Sequence, residues 1–158
     1  MNERRQFEIY RSLPSKRKTM YSNSDKPLPH CKALLICKQV TQDDETQAIS
    51  LLHLIESVGQ RSIPGPTGPF VVFMQLYDGI GRYRLSMEAN ALDDDANVAK
   101  ATVGHIDFPE RLAKMDIAIP VDSIFVPQSG RYELVVFVDG QELARQYFNV
   151  EVQDVTKE

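Results

Sequence analysis

The chain has 158 residues, 42% of them apolar, with nine prolines, eight glycines, no tryptophan and a formal charge of −4. That length is one domain's worth and can bury a real core. Its only cysteines, Cys31 and Cys37, would lie about 20 Å apart on one strand, which excludes a disulfide framework and fits a reducing, cytoplasmic setting.

Charge is unevenly spread. Residues 1–29 hold seven Lys/Arg and three acids, so they are +4 while the remainder is −8. The folded part is therefore acidic and repels polyanions such as nucleic acid over most of its surface. No apolar run is long enough to span a membrane, and the basic N-terminus lacks the apolar segment of a secretory signal.

In chain order, residues 1–29 are polar, basic and broken by Pro14, Pro27 and Pro29, and read as a disordered tail. Met20 is a second possible start, which would make residues 1–19 an extension absent from the working protein. A single domain is expected over residues 30–155. Cys31 to Val40 is an apolar run of strand length, and Thr41 to Gln47 a polar, acidic loop. Ala48 to Val58 stripes a helix and a strand equally well; the short preceding loop favours a strand. Pro64 to Pro69 forbids both helix and central strand.

Phe70 to Tyr77 is apolar on both faces, as for a strand covered on two sides. Tyr83 to Leu92 alternates, with Tyr83, Leu85, Met87, Ala89 and Ala91 inward. Asp93 to Asn97 is a turn, Val98 to Ile106 a weaker strand, and Asp107 to Lys114 is expected to hold one helical turn. Met115 to Val121 alternates but contains Pro120, which suggests a sheet edge. The chain closes with Gly130-Arg131-Tyr132, a strand to Val138, an Asp139-Gly140 turn and a last strand. Phe148 and Val150 fall out of phase with Leu143, which calls for a bulge near Arg145–Tyr147. About eight strands at this spacing predict an all-β, immunoglobulin-like antiparallel sandwich.

Gly130-x-Tyr132 resembles the immunoglobulin tyrosine corner, with Gly130, Tyr132, Asp139 and Gly140 as its structural residues. Leu134 stands where an antibody-type domain has its second cysteine, and the core tryptophan is missing. A wider set of features is similar to an uncharacterised family of short bacterial proteins, a domain of unknown function. The set comprises Ala33 to Cys37, Asp43-Asp44-Glu45, Gly81-x-Tyr83, Phe125-Val126-Pro127, Gly130-x-Tyr132, Val138-Asp139-Gly140 and Phe148-x-Val150, over residues 31–152. The resemblance implies a small bacterial, cytoplasmic β-sandwich and carries over no catalytic residue. Gly81-Arg82-Tyr83-Arg84-Leu85 also echoes Gly130-Arg131-Tyr132-Glu133-Leu134, which two similar hairpin strands explain.

Reactive chemistry finds little support. His30, His53 and His105 sit on separate segments without zinc spacing, and no cofactor or metal is expected. Asp93-x-Asp95-x-Asn97 opens like a calcium loop, but Val98 and Gly104 occupy the positions that need Gly and Glu. Asp43-Asp44-Glu45 reads as a wet loop rather than a carboxylate pair. Gly79-Ile80-Gly81 lacks the lysine of a phosphate loop. Cys37 and His53 on neighbouring strands are the one conceivable thiolate pair. The basic tail, with Phe7 and Tyr10, is read as a soluble extension rather than an RNA-binding arm.

What remains is a recognition patch of strand-end tyrosines and arginines: Tyr77, Arg82, Tyr83, Arg131 and Tyr147. The function is unknown from sequence. The favoured reading is a non-enzymatic module that binds an unidentified protein or its own copy through the Met115–Val121 edge. The alternative is a small-molecule or carbohydrate-binding domain.

Overall fold

A computed structural model describes residues 26–110 and 112–153. Eleven strands form two facing sheets and a two-stranded clip, with no helix among the described residues. They are β1 (His30–Gln42), β2 (Ile49–Leu54), β3 (Ser57–Gln60), β4 (Gly65–Pro66), β5 (Phe70–Tyr77) and β6 (Gly81–Ala91). β7 (Asn97–Phe108), β8 (Met115–Val121), β9 (Phe125–Val126), β10 (Gly130–Val138) and β11 (Gln141–Val152) follow. The first sheet runs β2-β1-β5-β8, the second β3-β11-β10-β6-β7, and β4 pairs with β9.

The strand count exceeds the expected eight for a local reason. The stretch from residue 48 to 58 is two strands. At Ile55 its amide still bonds Ile36 in the first sheet, whereas the next carbonyl, of Glu56, accepts from Asn149 in the second. The chain thus changes sheets in mid-run. Having run antiparallel to β1, it pairs in parallel with β11. A segment that serves both layers has apolar residues on both faces, which is why its pattern was ambiguous. β4 and β9 are two-residue strands that no periodicity announces.

The core is formed by the inward faces of both sheets. Leu34, Ile36, Val72, Met74, Leu76, Ile117 and Ile119 meet Leu85, Met87, Leu134, Val136, Val138 and Phe148. Each such side chain contributes about 1.5–3 kcal/mol by leaving water. The alternation of β6 holds along its whole length. The last hairpin does contain a bulge, but earlier than expected. Val136 pairs with Ala144 and Phe137 with Glu142, so Leu143 is the extra residue. This places Gln146 on the inner face, where its side-chain amide donates to the Leu34 carbonyl at 2.8 Å and ties the sheets together.

No helix is formed by the described residues between 107 and 114: β7 runs on to Phe108, and the Ala113 amide closes a turn on the Glu110 carbonyl. Of the expected tail, residues 26–29 are described and held. Residues 1–25, including the postulated extension, lie outside the described residues.

Candidate functional site

Two Gly-Arg-Tyr entrances organise the second sheet. β6 and β10 are antiparallel neighbours, so Gly81 and Gly130 lie at opposite ends. Both glycines have positive φ, 75° and 142°. A side chain at Gly130 would be strained and would place Cβ 2.6 Å from the Asp93 carboxylate. The arginine after each glycine faces out, and the tyrosine faces in.

Both tyrosines are 1% exposed. The Tyr132 hydroxyl donates to the Gln128 carbonyl at 2.6 Å. The Tyr83 hydroxyl donates to the Pro27 carbonyl at 2.7 Å and accepts from the Ile80 amide at 2.9 Å. Burial pushes both phenols above their ordinary pKa. Tyr83 is therefore a core residue, and its place in a surface patch is corrected.

The other patch residues do not converge. Tyr77 stacks on His30 at the ends of the central strands β5 and β1 of the first sheet, 5.9 Å between centroids. Arg131 lies 4.7 Å over the Tyr147 ring on the outer face of the second. Arg82 stands at the far end of that same face.

The Gly130 end is balanced in charge. Glu133 is paired with Arg145 at 2.9 Å and accepts from Asn90. Arg145 also pairs with Glu142; that hydrogen bond first, and the Glu133 charge second, hold its guanidinium more firmly protonated than usual.

The Gly81 end is built differently. Arg82, Arg84, His105, Lys26, Asp139 and Gln141 line an open cleft of about 510 Å³. The tip of the last hairpin closes one side. The Asp139 amide donates to the Arg84 carbonyl, and the Arg84 amide donates back to Asp139 Oδ1 at 2.8 Å. Asp139 Oδ2 lies 3.8 Å from Lys26 Nζ. Lys26 sits 4.7 Å from the Tyr83 ring centroid and donates to the Arg82 carbonyl. Thus Tyr83, through Pro27 and Lys26, positions one wall. Neither the Arg82 nor the Arg84 guanidinium forms an ion pair with a described acid. The overall acidity of the chain conceals this cluster, because net charge carries no information about where strands bring cations together.

The outer face of the first sheet is the second unusual surface. The ladder aligns Leu35, Phe73 and Ala118, and beside them Leu54, Cys37, Val71 and Pro120. All face away from the second sheet. Phe73 is only 4% exposed, while Leu52 and Leu54 on edge strand β2 are 40% and 58% exposed. The only acid among these ladder positions, Asp116, is paired with Lys114 at 3.3 Å. β8 is the opposite edge and contains Pro120, and its residues from Met115 to Ile119 are buried.

The remaining sequence candidates occupy separate places. His53 is exposed on β2 with φ 58°, and the Cys37 thiol donates to the Gln39 carbonyl. Burial raises the pKa of both Cys31 and Cys37, the opposite of an activated nucleophile. Asp43 caps its own turn, accepting from the Glu45 and Thr46 amides, and these bonds hold its carboxyl below the usual range. Asp94 likewise accepts from the Ala96 amide. No three His, Cys, Asp or Glu among the described residues gather as metal ligands. The Pro64–Pro69 loop is pinned by Thr67, whose amide and hydroxyl bond the backbone of Ile124.

The fold and its surfaces define an immunoglobulin-like β-sandwich in which nothing positively indicates catalysis. The chain belongs to a family of unknown function (DUF6941), matched over residues 32–151. A search of curated proteins found no match. Among solved structures, an alkylpurine DNA glycosylase of Pseudomonas fluorescens bound to abasic-site DNA is similar at 8% identity and TM-score 0.48. The similarity covers 75% of this chain and 30% of that one. An immunoglobulin-like protein from Pseudomonas aeruginosa shares 17% identity, over 80% and 99% of the two chains, with TM-score 0.43. The CARDB domain of a Pyrococcus furiosus protein, in complex with two metal ions, shares 14% identity over 85% and 100%, with TM-score 0.39.

Proposed function

We propose that the domain is a non-enzymatic protein-interaction module that associates with a second copy of itself through the outer face of the first sheet, at its β2 margin. The observation that carries this reading is the pair Leu52 and Leu54, exposed on an edge strand beside Leu35 and Val71. Cys37, Phe73 and Ala118 at the centre of that face are already buried, so the contact surface is the exposed apolar margin at Leu52 and Leu54. Charge at this surface does not oppose a like partner. Two copies of an acidic chain repel each other, whereas this margin meets its own image without opposing like charges. Raised thiol pKa values support a non-catalytic role.

Sedimentation velocity over a concentration series tests it. The wild-type chain should dimerise, and the double substitution Leu52→Asp/Leu54→Asp should yield a folded monomer. A wild-type chain that stays monomeric throughout, or a dimer untouched by the substitutions, removes the proposal.

A further inference from the structure

We infer that the cleft at the Gly81 end is a binding site for a phosphate-class dianion, either free phosphate or the phosphate group of a small monoester. This goes beyond the self-association reading and concerns the other sheet. Arg82 and Arg84 project from one face of β6, about 7 Å apart along the strand. Arg84 is opposite His105 in the β6–β7 ladder, and Arg82 is opposite Asp107. The only acid among the described residues that line the cleft, Asp139, is engaged on both oxygens, by the Arg84 amide and by Lys26. Lys26 and Asp139 offset each other, and neither guanidinium is ion-paired with a described acid, so the described lining of the cleft carries an excess of positive charge.

Guanidinium groups donate in a planar fork that matches phosphate oxygens, and two of them match the charge of a dianion. The cleft volume of about 510 Å³ admits a phosphorylated small molecule. The sequence-equivalent position at the other end shows what a purely structural version of the motif looks like. There Glu133 replaces the second arginine and Arg145 neutralises it. The chain therefore carries the balanced arrangement at one end of the sheet and departs from it at the other.

The test is calorimetric titration of the full chain with inorganic phosphate and, separately, with glycerol phosphate, against sodium chloride at matched ionic strength. Both phosphate compounds should bind, and Arg82→Ala/Arg84→Ala should weaken binding by about tenfold or more. Arg131→Ala, at the balanced end, should leave it unchanged. Tighter binding of the monoester identifies an organic phosphate as ligand, and equal binding identifies free phosphate. Absence of binding by either compound, or equal weakening by Arg131→Ala, overturns the inference. Circular dichroism of each variant confirms that a loss of binding is not a loss of fold.

Discussion

The two ends of the β10–β6 ladder start from nearly the same five residues and finish as different surfaces. At Gly130-Arg131-Tyr132-Glu133 the charges are satisfied: Arg131 lies on Tyr147 and Glu133 holds Arg145. At Gly81-Arg82-Tyr83-Arg84 the backbone device is repeated, with a positive-φ glycine and a tyrosine bonded to main chain. One change of sign, Glu133 against Arg84, converts a closed ion network into an open cationic cleft. The shared part of the motif serves the fold, and the part that differs is where function is to be sought.

The largest expected effects break the shared part. Gly130→Ala should destabilise by about 1–3 kcal/mol, since it adds left-handed strain to a clash with Asp93. Gly81→Ala should likewise be strained by its positive φ. Adding Asp93→Ala should recover part of the loss at Gly130 and none at Gly81, as measured by urea unfolding.

Next come the hydroxyls. Tyr83→Phe removes two hydrogen bonds and Tyr132→Phe one, at about 1 kcal/mol each, so the first should cost roughly twice the second. Both phenols have a folded pKa raised above the ordinary 10.0, chiefly by burial. Their proton-linked stability is therefore full below that value and is lost as pH rises through the folded pKa. Each phenylalanine variant should flatten the fall in stability above about pH 10. An unchanged alkaline limb would contradict the burial of these hydroxyls.

Much of the frame was legible because strands announce themselves by alternation. β6 declares its inner face residue by residue, and the Asp139-Gly140 turn fixes the pairing of Val138 with Gln141. β5, apolar on both sides, announced a sheet with a second apolar face, and the ladder places Phe73 and Val71 there. Features that depend on the meeting of distant segments were not legible. The sheet change at Ile55–Glu56 is made by hydrogen bonds to Ile36 and Asn149, far apart in sequence. The cleft needs Lys26 to reach Asp139, across more than a hundred residues. The burial of the Tyr83 hydroxyl is not legible either, because its acceptor, the Pro27 carbonyl, lies 56 residues away in a polar, proline-broken stretch.

The smallest effects, and the most direct, come from reversing the one sign that separates the two ends. Equilibrium urea unfolding of Arg84→Glu and Glu133→Arg makes that comparison without any ligand. Glu133→Arg should lower the midpoint, because it sets a new cation beside Arg131 and Arg145 and leaves Asn90 without its acceptor. Arg84→Glu should leave the midpoint unchanged or raise it, because it relieves repulsion with Arg82 in the cleft. Equal losses at both ends would show that Arg84 is already compensated, and the distinction between a balanced end and an open one would fall.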